Sequence, residues 1–83
     1  MAWKILVVAD DQPTLDLMRM ILRGQGHDIS TAMSGTAALE AVARSKPELV
    51  LLDLMMPDMD GLEVCRRLRA NPATANLRIV MLT

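Results

Sequence analysis

Three short apolar runs most constrain how this chain can fold. They read ILVVA at residues 5–9, LVLL at residues 49–52 and IVML at residues 79–82. Continuous apolar residues that are rich in β-branched side chains and lack polar alternation are typical of strands in a parallel sheet covered by helices. The runs therefore predict strands of such a sheet.

The segment after the first run has the spacing of a helix. Pro13 suits the first turn of a helix. Apolar residues then recur at helical intervals on one face: Leu15, Met18, Ile21 and Leu22. Gly24 and Gly26 are expected to end this helix. Residues 28–32 have strand character, so another strand is predicted there.

Two further helices are predicted from residues that cap helix N-termini. Ser34 can cap a helix that Pro47 closes. Asp60 followed by Glu63 resembles a capping box, and the helix that it opens is expected to end at Asn71. The resulting order, β-α-β-α-β-α-β with short connections, predicts one α/β domain over residues 1–83 built on a parallel sheet.

Composition limits the classes of function open to the chain. Its 83 residues can form one small domain, and a net charge of -1 creates no field that would attract nucleic acid or an anionic membrane. Cys65 is the single cysteine and lacks Cys/His neighbours with zinc spacing, which fits a reducing compartment. Because no apolar run reaches membrane length, a soluble, cytoplasmic protein is expected. Eight Met and one aromatic residue predict an interior filled by Met, Leu, Val and Ala.

Acidic residues follow two of the apolar runs. Asp10 and Asp11 come directly after the first run, and Asp53 ends the second. In doubly wound parallel sheets of strand order 2-1-3-4-5, the first and third strands are neighbours, and ligands bind beyond their carboxyl ends. The three carboxylates are therefore expected to converge in one cleft, where their mutual repulsion favours a bound cation. Oxygen ligands with room for water suit Mg²⁺ better than a caged Ca²⁺.

The same motifs have other interpretations. A single Asp after a strand is usually a helix cap or a turn residue. The segment LVLLD also resembles the strand and acid that hold Mg²⁺ in P-loop NTPases, but the chain has no GxxxxGK[ST] loop. The glycines of RGQGHD follow a helix and have Ile29 where a dinucleotide fingerprint needs its third glycine. By default, His27 is a surface residue and Arg66, Arg67 and Arg69 form a solvated helix face.

Four segments resemble, in this order, the receiver domain of two-component response regulators: KILVVADDQP, AMSGTAALEA, PELVLLDLMMPDMDGLEVCRRLR and RIVMLT. The resemblance implies a flavodoxin-like (CheY-like) doubly wound sheet and a phosphoacceptor domain rather than an enzyme. It assigns Asp53 as the residue that takes a phosphoryl group from a phosphohistidine on a sensor histidine kinase or a phosphotransfer protein. It assigns Asp10, Asp11 and the backbone carbonyl of Met55 as ligands of Mg²⁺, which binds in the cleft with Asp53 as a further ligand. It assigns Thr83 as the hydroxyl that hydrogen-bonds the phosphoryl group.

The chain departs from the receiver pattern after its fourth predicted strand. A receiver continues into a fourth helix, a fifth strand with a phosphoryl-pairing lysine and an aromatic residue, and a fifth helix, so the sheet is expected to be incomplete here. The absent lysine predicts phosphotransfer slower by on the order of a hundredfold. Residues 78–83 are expected to form an exposed edge strand beside an uncovered face, which predicts a homo-oligomer. Two functions follow: a phosphoacceptor domain with Asp53 as its reactive site, or a non-catalytic, truncated half-receiver that acts as a structural or oligomerisation module.

Overall fold

A computed structural model of the chain describes residues 2–54, 56 and 58–82. Strands and helices alternate through these residues: β1 (Lys4–Val8), α1 (Gln12–Gly24), β2 (Asp28–Ala32), α2 (Gly35–Ser45), β3 (Leu49–Asp53), α3 (Gly61–Ala70) and β4 (Arg78–Leu82). The four strands in this part of the chain form one parallel sheet in the order β2-β1-β3-β4. This order confirms the predicted doubly wound α/β sheet and places β1 beside β3 at its centre. None of the helices in the described residues is long and apolar enough to span a membrane.

Local sequence signals set the boundaries of the helices. The Ser34 side chain accepts a hydrogen bond from the Ala37 amide at 3.1 Å, and the Asp60 side chain accepts one from the Glu63 amide at 2.8 Å. Both predicted caps are therefore confirmed. After α1, Gly26 has a φ of 86°, in the left-handed region that glycine adopts readily. Short-range capping and turn chemistry thus fixes where these helices begin and end.

Each face of the sheet packs against different helices. Helices α2 and α3 cover one face, and their buried side chains join those of the strands in one apolar cluster. The buried members of this cluster are Leu6, Val8, Ala32, Ala38, Ala41, Val42, Val50, Leu52, Val64 and Leu68. Helix α1 lies on the other face, in a second cluster with the buried residues Ile5, Val7, Ala9, Leu15, Ile29 and Leu51. Because successive strand residues point to opposite faces, β1 and β3 contribute alternately to the two clusters.

Two expectations about the interior are wrong. Among the described residues the buried core consists of Leu, Val, Ile and Ala, whereas four Met are only partly buried beside the two clusters: Met18, Met56, Met59 and Met81. The flexible Met side chain adapts to irregular margins, while strand residues fill the centre. Ile21, predicted to face inward, is 49% exposed. The α1 residues that join or pack against the cluster on this face are Leu15, Met18 and Leu22, and Ile21 is not among them.

Candidate functional site

The carboxyl ends of β1 and β3 lie side by side at one edge of the sheet. The two strands pair in parallel register up to Val8 and Leu52. Asp10 follows β1 by two residues and is exposed, whereas Asp53 is the last residue of β3 and is half-buried. Asp53 pairs with Leu82 of β4. The fold therefore brings the acidic residues at the ends of both strands to the same edge.

Asp11 forms the N-cap of α1. Its Oδ2 accepts hydrogen bonds from the Thr14 amide at 3.1 Å and from the Thr14 hydroxyl at 2.5 Å. The cap satisfies an amide that would otherwise lack a partner at the helix N-terminus. The alternative interpretation, in which an Asp after a strand caps a helix, therefore holds for Asp11. Because a carboxylate has two oxygens and the cap uses Oδ2, capping and cation binding are compatible.

The predicted Mg²⁺ site combines carboxylates with one backbone carbonyl, that of Met55. Among residues 2–54, 56 and 58–82, no group of three His, Cys, Asp or Glu side chains is arranged to hold a metal ion. Protein-bound Mg²⁺ usually takes one or two carboxylates and keeps several waters, so a three-carboxylate group is not required. Met55, the predicted carbonyl ligand, and Thr83 both lie outside the described residues. The carboxylates at this edge offer the oxygen donors that Mg²⁺ prefers, and the complete site stays a prediction.

The chain after β3 returns close to the end of that strand. The Gly61 amide donates a hydrogen bond to the Leu54 carbonyl at 2.9 Å. A Cβ atom at position 61 would collide with the backbone carbonyl oxygen of Asp53. Glycine is therefore required where α3 begins against the end of β3. Pro57, a residue type that favours turns, lies outside the described residues.

Asp58 links the segment after β3 to the N-terminus of α2. Its Oδ1 accepts hydrogen bonds from the amides of Gly35 and Met59, each at 2.9 Å. Its Oδ2 accepts from the Thr36 amide at 3.0 Å and the Thr36 hydroxyl at 2.8 Å. The bonds from the Thr36 amide, the Gly35 amide and the Thr36 hydroxyl hold the pKa of Asp58 well below its usual value, because they stabilise the charged carboxylate.

Sequence reasoning missed this contact of Asp58. The two α2 residues that donate to it precede it by 22 and 23 positions along the chain. Capping rules relate residues three or four positions apart, so they recognise Ser34 and Asp60 but not a cap supplied from a distant segment. The only local signal is a turn-favouring Asp in PDMDG.

Two polar residues away from the acidic edge contact the backbone in ways that the sequence did not predict, although Arg69 lies on an exposed helix face as expected. His27 is half-buried, and its Nδ1 accepts a hydrogen bond from the Trp3 amide at 3.0 Å, so it is not a simple surface residue. Arg69 donates to the backbone carbonyls of Ala75 and Leu77 at 3.0 and 2.6 Å. This arginine therefore stabilises the turn before β4 instead of being only solvated. A side chain that satisfies backbone groups across a turn cannot be recognised from charge pattern alone.

A cavity of about 730 Å³ lies at the opposite edge of the sheet. Its lining includes Lys46 and Pro47 shortly before β3, and Asn76 and Leu77 immediately before β4. These segments precede the strands, whereas the acidic residues follow them. The cavity is therefore remote from the carboxylates and does not form part of the candidate site.

Comparison with known proteins defines the class to which this fold belongs. Residues 5–83 match the family described as the response regulator receiver domain. The chain therefore belongs to the receiver domain family of response regulators, the proteins of two-component systems. Its fold is flavodoxin-like: the chemotaxis response regulator CheY4 of Vibrio cholerae superposes with a TM-score of 0.93 at 25% identity, over 98% of this chain and 68% of that one.

Other similar proteins are also response regulators. The DNA-binding response regulator MtrA of Mycobacterium tuberculosis is 48% identical over 83 residues, which are 100% of this chain and 35% of MtrA. The response regulator PleD of Caulobacter vibrioides is 42% identical over 100% of this chain and 18% of its own. The N-terminal domain of a response regulator receiver protein from Methanoculleus marisnigri superposes with a TM-score of 0.95 at 42% identity, over 98% of this chain and 66% of that one. The chain thus spans about a third or less of the length of these curated relatives.

Proposed function

We propose that this chain is a phosphoacceptor domain of a two-component phosphorelay and that Asp53 is its reactive residue. The observation that carries the proposal is the position of Asp53, which ends β3 at the sheet edge where β1 leads into Asp10 and Asp11. In parallel sheets with this strand order, ligands bind at that edge. Membership of the receiver domain family supports the same assignment.

A carboxylate at this position can act as a nucleophile towards phosphorus. One oxygen of Asp53 forms a bond to the phosphorus of a phosphohistidine, while the bond from that phosphorus to the imidazole nitrogen breaks. The electron pair of the broken bond leaves with the nitrogen, and the product on this chain is an acyl phosphate. Such transfers depend mainly on the positions of the reacting atoms and on stabilisation of charge at the phosphoryl oxygens.

In this proposal Mg²⁺ is held by the carboxylates of Asp10, Asp11 and Asp53 and by the backbone carbonyl of Met55. When bound, the ion offsets negative charge on the transferring phosphoryl group. Asp11 would ligate with the oxygen that does not cap α1. Thr83 would donate a hydrogen bond from its hydroxyl to the phosphoryl group and so distinguish the modified state from the unmodified one.

The phosphoryl donor in this proposal is a sensor histidine kinase or phosphotransfer protein, and this chain accepts the group in the cytoplasm. The similarity to MtrA and PleD, both described as response regulators, supports a partner of this kind. This chain is the acceptor that becomes modified, and it is not an enzyme acting on a separate substrate. Its net charge of -1 does not favour binding to nucleic acid by this chain.

Incubation with acetyl phosphate and Mg²⁺, followed by intact-mass spectrometry, tests this proposal. We expect the parent chain to gain one phosphoryl group and an Asp53→Asn variant to gain none, because an amide is a much weaker nucleophile than a carboxylate. Asp28→Asn is the matched control, since Asp28 begins β2 at the opposite edge of the sheet and is exposed; it should be labelled like the parent. An Asp11→Ala variant should lose the Mg²⁺ binding that calorimetry detects in the parent. An unlabelled parent chain, or labelling that survives Asp53→Asn, would contradict the proposal.

A second proposal is that two copies of the chain associate through the face that carries α1. Val80 of the edge strand β4 is 48% exposed, and it lies opposite Leu51, a member of the cluster on that face. Helix α1 adds the exposed apolar side chains Leu17, Met20 and Ile21. Exposed apolar patches and unpaired apolar edge strands favour pairing with another chain. We therefore propose a two-fold dimer, in which the same surface of both copies is buried.

Sedimentation velocity over a range of concentrations tests the dimer. Val80→Thr is expected to weaken it, because the substitution keeps a β-branched side chain in the strand but adds a hydroxyl to the apolar face. Leu62→Gln is the control, since Leu62 is also an exposed apolar residue but lies on α3. A monomer at the highest concentration, or the same weakening in both variants, would be inconsistent with this interface. A dimer without any labelling of Asp53 would favour the alternative function, a non-catalytic oligomerisation module.

A further inference from the structure

The N-terminus of α2 has two caps, of which one is local and one comes from a distant segment. The local cap is Ser34, which accepts from the Ala37 amide. Asp58 accepts from the amides of Gly35 and Thr36 and also from the Thr36 hydroxyl. A helix N-terminus needs partners for its first amides, and a single local cap satisfies only one or two of them. The second cap therefore joins α2 to the segment that follows β3.

The segment that carries Asp58 is short and approaches its neighbours closely on both sides. Its described residues are Leu54, Met56 and residues 58–60, and it ends where Gly61 packs against the Asp53 carbonyl. On its other side Gly35 is buried, and a Cβ atom there would collide with the side chain of Met59. The backbone of α2 thus approaches this segment at the residue next to Asp58. The exposed Asp58 carboxylate accepts three hydrogen bonds from Gly35 and Thr36 of α2 and one from Met59 of its own segment. It therefore joins this segment to α2.

We propose that Asp58 is a positioning residue that holds the segment after β3 against α2 and thereby orients the Asp53 carboxylate for phosphoryl transfer. This inference rests on the proposed function of Asp53. Asp58 does not react in this role, because both of its oxygens are already engaged by donors from Gly35, Thr36 and Met59. Phosphoryl transfer depends on the placement of the reacting atoms. Asp53 should therefore react more slowly when the hydrogen bonds of Asp58 to α2 are lost.

Charge alone predicts the opposite result, which makes the test discriminating. Asp58 adds a negative charge to the segment beside the acceptor, and acetyl phosphate is itself an anion. Removal of that charge without any loss of positioning would assist the approach of the donor. Slower labelling after the loss of Asp58 is therefore specific to positioning.

The experiment measures the rate of Asp53 labelling with Mg²⁺ at acetyl phosphate concentrations well below saturation, where the approach of the donor contributes to the rate. We expect Asp58→Ala to be about ten- to a hundredfold slower than the parent chain, the range that misplacement of reacting groups produces. Asp58→Asn should fall between the two, because an amide keeps one acceptor oxygen of the two. Asp60→Ala is the matched control. It removes an equal charge from the same segment but breaks only the cap of α3, a 2.8 Å bond from the Glu63 amide, and it should label close to the parent rate.

Circular dichroism establishes that each variant is folded at the assay temperature. Should Asp58→Ala be unfolded, Asp58→Asn is compared with Asp60→Asn, and slower labelling of the former is expected. Labelling of the Asp58 variants at the parent rate, or equal slowing of the Asp58 and Asp60 variants, would overturn the positioning role while leaving Asp53 as the acceptor. Absence of labelling in the parent chain would overturn the proposed function and this inference together.

Discussion

At β3 and β4, the two faces of the sheet bury apolar strand residues to different extents. Under α2 and α3, Leu52 has no exposed surface, whereas its neighbour Leu51 on the face of α1 keeps 9%. The contrast is larger at β4, where Val80 on the α1 side is 48% exposed while Ile79 and Met81 pack against the cluster under α2 and α3. All of these residues are apolar. Burial is therefore set by the helices that lie over a strand and not by the residue type in the strand.

The better-covered face also supports the candidate site. Met56 and Met59, which belong to the segment after β3, pack against the cluster under α2 and α3. Asp58 bonds to α2, and Gly61 begins α3 against the end of β3. The α1 side contributes the N-cap Asp11 at the same edge. The segment after the acceptor thus rests on the face with two helices.

The largest difference between the two faces should appear in their cores. Leu52→Ala is expected to lower the free energy of unfolding by about 3 to 5 kcal/mol, because the cavity it leaves is enclosed by two helices and cannot collapse. Leu15→Ala, on the face of α1, should cost about 2 to 3 kcal/mol, since neighbours at a partly open face can relax into the space. Urea unfolding of both variants measures the two values. An equal or larger loss for Leu15→Ala would break the comparison.

A smaller contrast is expected between two glycines. Gly35→Ala should destabilise the fold by about 1 to 3 kcal/mol through overpacking, because the new methyl group would collide with Met59. Gly24→Ala, at the end of α1, meets no atom within 4 Å and should instead stabilise the fold by about 0.5 kcal/mol, since alanine favours the helix. Thermal unfolding measures both changes.

The double variant Gly35→Ala/Met59→Ala identifies the cause of the first effect. If the collision with Met59 is responsible, the two substitutions should be non-additive, and the double variant should recover part of the loss. Strict additivity would show that Gly35 is needed for another reason.

Features of the fold that depend on short sequence separation could be predicted. Strands β1, β3 and β4 follow from apolar runs, and β2 follows from the strand character of residues 28–32. The caps Ser34 and Asp60 follow from side chains within three residues of the amides they bond. The exposure of Ile21 and the marginal position of Met59 could not be predicted in this way. Both depend on which helix covers which strand, and a helical pattern identifies an apolar face without identifying its partner.

The same limit applies to the candidate site. Topology rules place Asp10, Asp11 and Asp53 at one sheet edge from the sequence alone, since parallel strands end together there. The capping role of Asp11 could also be predicted as an alternative to cation binding, because an Asp that follows a strand often caps a helix. The bonds of Asp58 to Gly35 and Thr36 could not be anticipated, as they join segments far apart in sequence. Roles carried by long-range hydrogen bonds require the folded arrangement.

The smallest effect on stability is expected from the ion pairs on the outer surface of α3. Comparing it with the effect of Leu52→Ala shows whether this face is stabilised mainly by apolar burial or by charge. A hydrogen bond from Arg66, which has the larger effect, and one from Arg67 lower the pKa of Glu63 from its usual 4.5 to about 2. A carboxyl whose pKa is lower in the folded than in the unfolded state stabilises the fold above its unfolded pKa, and this contribution is lost as the pH falls from about 4.5 to about 2. Glu63→Gln should therefore melt slightly below the parent chain at pH 7, and the two melting temperatures should converge at pH 2. Surface ion pairs contribute little, so the gap at pH 7 should be far smaller than that produced by Leu52→Ala. A gap that persists unchanged to pH 2 would show that Glu63 acts through packing instead of charge.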